Sequence, residues 1–217
     1  MDFHQIIQAI AIYTLPVLFA ITLHETAHGY VARHFGDMTA YAQRRISLNP
    51  LRHVDPVGTI LVPAVILLAS GGRFLFGWAK PVPVNFSALR HPKRDMLWVA
   101  AAGPAANLGM ALGWALLWKL AIVLPANYFS LPMGKMAAAG VFFNLVFMFL
   151  NLLPILPLDG GRILASLLPD RVARPYAKLE RWGIPLLILL LVTNVLGFVL
   201  GPLVDVSVML IRHVVLL

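Results

Sequence analysis

The chain has 217 residues, 60% of them hydrophobic and only 12% charged, with a mean hydropathy of +0.83. That is more apolar surface than one soluble core can enclose, which excludes an ordinary globular enzyme and makes lipid the solvent for most of the chain. The formal charge of +8 does not point to nucleic acid, because the 17 Lys and Arg stand almost entirely in loops between apolar runs, where such residues set membrane topology and meet anionic headgroups.

Apolar stretches at 6–32, 97–124, 136–156 and 184–201 approach or exceed the roughly 20 residues that span a bilayer, and shorter ones lie at 57–71 and 202–217. The expected fold class is an all-α polytopic membrane protein with about five transmembrane helices. It forms a single integral domain over 1–217, with a catalytic core at about 6–165 and C-terminal helices at 184–217. The first stretch does not read as a cleaved leader, because Met1-Asp2-Phe3-His4 carries no Lys or Arg and no small-residue site closes a short apolar core. Cysteine is absent, so any transition-metal site must use His and carboxylate.

Within the first stretch, residues 23–30 read Leu-His-Glu-Thr-Ala-His-Gly-Tyr, inside a run without Pro from Val17 to Asn49 that predicts a helix. One helical turn separates His24 from His28, so both imidazoles reach one Zn²⁺, and Glu25 projects beside them as a base. Zinc lowers the pKa of a bound water towards about 7, and Glu25 is placed to take its proton. Ionisable groups within a membrane segment are costly unless paired or functional, and Arg33 is the nearest cation in sequence. A metal ion would pair all three.

A catalytic zinc needs a third protein ligand and an open position. Most remaining acids, such as Asp37, Asp55 and Asp95, stand among loop cations. Asp159 differs, because it follows a long apolar helix in Asn151-Leu-Leu-Pro-Ile-Leu-Pro-Leu-Asp-Gly-Gly161. Pro and Gly break the helix there, and non-helical backbone at membrane depth is tolerated where it is buried in protein or lines a cavity.

HETAH at 24–28, Ala102-Gly103-Pro104-Ala-Ala-Asn107 and the NLLPILPLDGG element at 151–161 together resemble the site-2 protease family of intramembrane zinc metalloproteases. The resemblance implies one Zn²⁺ per chain held by His24, His28 and Asp159, with Glu25 as general base. It also implies a role for Asn151, which matches the family's Asn eight residues before the ligand Asp and would hold the substrate backbone or polarise the scissile carbonyl. For Asn107, close helix packing beside Gly103 is the favoured reading, with a supporting role behind a ligand as the alternative. The stretch Gly77-Trp-Ala-Lys-Pro-Val-Pro-Val-Asn85 resembles an element of the family's compact bacterial branch, which lacks PDZ and CBS domains. The substrate expected is a transmembrane or membrane-proximal segment of a membrane-anchored protein. A metal transporter or an inactive homologue is the alternative.

If segment 57–71 dips into the membrane and returns, Asp159 comes back to the depth of His24 and His28, whereas a full crossing would bring the ligands together only awkwardly. The dip puts 15 of the 17 Lys and Arg on one face against Lys119 and Lys135 on the other, whereas a full crossing splits them 6 to 11. The richer face reads as cytoplasmic, in the inner membrane of a bacterium, and carries the active site. A small β-hairpin or edge strand is expected near 73–85, and a short amphipathic helix around 174–182. His34, His53 and His91 are expected in solvent.

Overall fold

The computed structural model describes residues 3–69, 77 and 79–216. Its main helices are α1 (Phe3–His34), α4 (Pro92–Val123), α5 (Ser130–Asn151) and α9 (Val195–Val215), with shorter helices α2 (Thr39–Ala42), α3 (Val62–Ala69), α6 (Asp159–Leu167), α7 (Asp170–Ala177) and α8 (Glu180–Val192). The protein is all-α, and α4, α5 and α9 are each long and apolar enough to cross a bilayer. At 1.5 Å per residue, the 32 residues of α1 rise about 48 Å, well beyond a hydrocarbon core of about 30 Å.

Helices α1, α4 and α5 pack pairwise, α6 docks on α4, and α9 closes the far side of α4 and α5. The α4–α5–α9 seam is built from Ala111, Ala115, Val141, Leu145, Met148, Val204 and Ile211, with Trp114 and Trp118 beside it. Small residues let the backbones approach, as expected where lipid gives helices no hydrophobic reason to associate. A Cβ on Gly140 would overlap the Trp114 ring, so this glycine is the slot into which α4 inserts its indole. Leu112, Leu116, Leu120, Phe198, Met209 and Val214 face outward, consistent with contact to lipid tails.

Contacts along the bundle fix its directions. His28 of α1 meets Val99 of α4 while Ala20 meets Asn107, so α1 and α4 run antiparallel, and the connection between them begins and ends at one end of the bundle. Within that connection, a π-helical turn (Pro56–Leu61) leads into α3. The 14 residues 56–69 rise at most about 21 Å, short of the hydrocarbon core. The segment expected to dip is therefore too short to cross in its described part.

Four expectations change. The described part of 73–85 contains no strand, because Pro81 and Pro83 cannot donate to a ladder, and 73–76 and 78 lie outside the described residues. The last two apolar stretches divide at Asn194, whose left-handed backbone (φ 58°) ends α8, and Pro202 lies inside α9. The amphipathic helix comes earlier than expected, at Asp170–Ala177. His53 is only 2% exposed, with Nε2 on the Ser47 carbonyl at 2.8 Å.

Candidate metal centre

Helical pitch sets His24 and His28 one above the other on the face of α1 turned towards α4. Gly103 of α4 lies directly against them, and a Cβ there would overlap both imidazole rings. Asp159 arrives from the other side as the first residue of α6. The turn before it contains Pro154 and Pro157, and Gly160 and Gly161 follow. Side chains at those two glycines would run into the backbone of Leu152 and Ile155, so they allow α6 to tuck beneath its own preceding turn and aim Asp159 at α1.

The three side chains converge. His24 Nε2 is 3.2 Å and His28 Nε2 3.4 Å from Asp159 Oδ2, and the two Nε2 atoms are 3.1 Å apart. Both histidines are at least nine-tenths buried, as residues 7% and 8% exposed. The bonds behind the rings fix the proton positions. His28 Nδ1 faces the Val99 carbonyl at 2.7 Å, an acceptor only, so Nδ1 carries the proton. Asn107 donates its amide nitrogen to the Ala20 carbonyl at 3.2 Å and to Asn144 Oδ1 at 3.0 Å, which turns Asn107 Oδ1 towards His24 Nδ1 at 2.6 Å. His24 Nδ1 therefore donates as well.

With both protons on Nδ1, each Nε2 presents a lone pair. Asp159 Oδ2, buried and without a hydrogen-bond donor, presents another. Three acceptors facing one point repel one another unless a cation lies among them. Their separations match the edge of about 3.3 Å of a tetrahedron whose corners lie about 2.0 Å from its centre, the zinc–nitrogen and zinc–oxygen distance. Two His and one carboxylate, with a fourth corner open, form the donor set of a catalytic zinc, and the ligand atoms of these three residues could hold one metal ion.

Glu25, next to His24, accepts the backbone N–H of Val82 on Oε2 at 2.7 Å. Asn151 ends α5 and donates to the Phe147 carbonyl of its own helix at 3.0 Å. It makes no hydrogen bond to the other four site residues. Asn107, read from the sequence mainly as packing, stands directly behind His24. Asn144 escaped the sequence reading, and Val82 entered it only as part of the edge strand or hairpin expected near the active site at 73–85, without its bond to Glu25. An amide in the middle of the apolar run of α5 was a usable signal for Asn144, whereas nothing in the sequence marks a backbone N–H 57 positions from its partner.

Residues 119–193 match the sequence profile of Peptidase family M50. The chain is 38% identical over 199 residues to "Putative zinc metalloprotease YwhC" of Bacillus subtilis (strain 168), an alignment covering 88% of this chain and 84% of the relative. It is 31% identical over 184 residues to "Putative zinc metalloprotease Rip2" of Mycolicibacterium smegmatis, covering 83% and 66% of the two chains. The protein of the same name from Mycobacterium tuberculosis (strain H37Rv) is 30% identical over 189 residues, covering 85% and 68%. No solved structure matches. Helices fit to span a membrane, a buried His-His-Asp cluster beside a glutamate and these relatives agree: the chain belongs to peptidase family M50, the site-2 protease family, and is a membrane zinc metalloprotease.

Proposed function

We propose that the protein is an endopeptidase of the bacterial inner membrane that cuts transmembrane or membrane-proximal segments of membrane-anchored proteins, as in regulated intramembrane proteolysis. The observation that carries this reading is the convergence of His24 Nε2, His28 Nε2 and Asp159 Oδ2 beside Glu25 among helices fit to span a bilayer. His28 and His24 stand six and ten residues before the end of α1 at His34, which is about 9 and 15 Å along the axis. A peptide bond must be delivered to that depth.

Zinc held by His24, His28 and Asp159 would supply a Lewis acid for the scissile carbonyl and for the attacking water. Glu25 takes the proton from that water as its oxygen bonds to the carbonyl carbon, then gives it to the leaving amine nitrogen as the C–N bond breaks. The carboxylate is regenerated, and one water is consumed per bond cut. Asn151, with one amide hydrogen on Phe147, has a second to offer the developing oxyanion. The charge split of the loops supports a cytoplasmic active site.

The test pairs zinc quantification with cleavage of a model transmembrane peptide by purified protein. Glu25→Gln should abolish cleavage and retain one zinc per chain, whereas Asp159→Ala should lose both. Full zinc occupancy in Asp159→Ala would remove the third ligand, and cleavage by Glu25→Gln would remove the base.

A further inference from the structure

We propose that the backbone N–H of Val82, carried on an extended strap at 80–85, is a positioning group that fixes the Glu25 carboxylate for catalysis. The proposal rests on Glu25 acting as the base.

The strap is anchored along its length. Lys80 donates its N–H to the His53 carbonyl at 2.8 Å. The Arg45 guanidinium holds the carbonyls of Lys80 at 2.9 Å and Pro81 at 3.2 Å. At the other end, Asn85 donates its N–H at 2.7 Å to Asp37 Oδ2, and the Asp37 side chain is wholly buried. Between these anchors Val82 is 6% exposed.

The sequence explains why Val82 alone reaches the base. Pro81 and Pro83 have no N–H, so the donor between them is the amide of residue 82. In α1, Gly29 lies one turn beyond Glu25 on the same face. A Cβ on Gly29 would stand 2.9 Å from Ile46 Cγ1 and 3.1 Å from Val82 Cγ1, so the missing side chain makes a seat that Val82 shares with Ile46. Val82 therefore packs its side chain into this seat and bonds Glu25 Oε2 with its N–H at 2.7 Å. Among the described residues nothing hydrogen-bonds Oε1, which leaves that oxygen for the proton. A bond from an amide to a carboxylate is charge-assisted and directional, and it removes the rotamer freedom of a three-torsion side chain.

The experiment uses the full chain and a model transmembrane peptide. Val82→Pro removes the donor and should lower kcat by about 10- to 100-fold, the cost of misplacing a reacting group by an ångström. KM should stay within about threefold, with one zinc per chain. Val82→Ala keeps the N–H and should recover kcat to within about fivefold of wild type. Equal kcat in the two variants, or wild-type kcat in Val82→Pro, would overturn the proposal. If Glu25→Gln is inactive in either case, the assignment of the base survives that failure.

A second measurement does not depend on proline. The chain has no cysteine, and the 3.1 Å between a Cβ at 29 and Val82 Cγ1 suits a disulfide, in which a Cβ lies about 3 Å from the far sulfur. The oxidised Gly29→Cys/Val82→Cys protein, its strap locked in place, should cut at least as fast as the reduced form. Loss of cleavage on oxidation with recovery on reduction would show that the strap must lift, and would overturn a fixed positioning role.

Discussion

Asn107 Oδ1 accepts the Nδ1–H of His24 at 2.6 Å, and this bond decides which nitrogen of His24 is left for a metal. The amide is itself held by the Ala20 carbonyl and by Asn144, whose own amide nitrogen donates to the Gly140 carbonyl at 2.8 Å. A ligand histidine backed in this way keeps its tautomer and ring angle, and loss of such a partner lowers metal affinity by about 10- to 100-fold. Asn107→Ala should weaken zinc binding by that factor in competition with a chelator. Asn144→Ala should weaken it less, because Asn107 keeps its bond to Ala20. Wild-type affinity in Asn107→Ala would mean that the ring is held by packing alone.

Gly103→Ala tests the other wall of the site. The added methyl would overlap both imidazoles, so either α4 moves away from α1 or the rings turn aside. Overpacking of this kind costs about 1–3 kcal/mol, which a bundle joined along several seams can survive. Zinc should be lost while the protein stays folded in detergent. Metal analysis beside thermal unfolding checks this, and a folded, zinc-replete Gly103→Ala protein would contradict the close approach.

Much of this site was legible because its chemistry sits in short local patterns. One helical turn holds His24, Glu25 and His28, and the Pro and Gly around Asp159 announce a broken helix. The rest depends on long-range placement. Val82 touches Glu25 only because three anchors and two prolines hold the strap against α1, and no periodicity encodes that. His53 looked like a loop residue among cations, yet the fold buries it to bond Ser47 and brings its carbonyl to Lys80. The apolar stretches expected at 184–201 and 202–217 carry no signal for their true division, because apolarity continues on both sides of Asn194, whose left-handed backbone makes the break, and Pro202 is carried inside α9.

Outside the membrane, Lys93 Nζ donates to Asp170 Oδ1 at 2.6 Å, tying the start of α4 to α7. The hydrogen bond and the charge of Lys93 hold the Asp170 carboxyl below the usual range. A depressed folded value means that the tie stabilises above the unfolded-state pKa of about 3.9 and is lost as pH falls through the lower folded one. Both side chains are exposed, so solvent and salt screen the pair. Asp170→Asn should shift the thermal midpoint at pH 7 by less than about 2 °C. A larger shift would show that the α7 contact carries more than an exposed ion pair.

The antiparallel course of α1 and α4 makes topology testable at one position. If α1 ends on the cytoplasmic face, α4 starts there, and the turn at Asn127 between α4 and α5 lies on the opposite face. Helix α5 then returns the chain to the starting face, where Asp159 meets His24 and His28. This arrangement puts Lys119 and Lys135 on the far side, and Arg212, whose guanidinium lies 5.6 Å from the Trp118 ring centre, joins them there instead of on the face expected from the sequence. The loops of the starting face keep the excess of Lys and Arg that the positive-inside rule requires. A reporter fused after residue 127 should read as extracytoplasmic, and one fused after residue 178, beyond α7, as cytoplasmic. The inverted pair of readings would keep the bundle and turn the active site outward. A cytoplasmic reading at both positions would mean that α4 and α5 do not each cross, contrary to their length and apolarity.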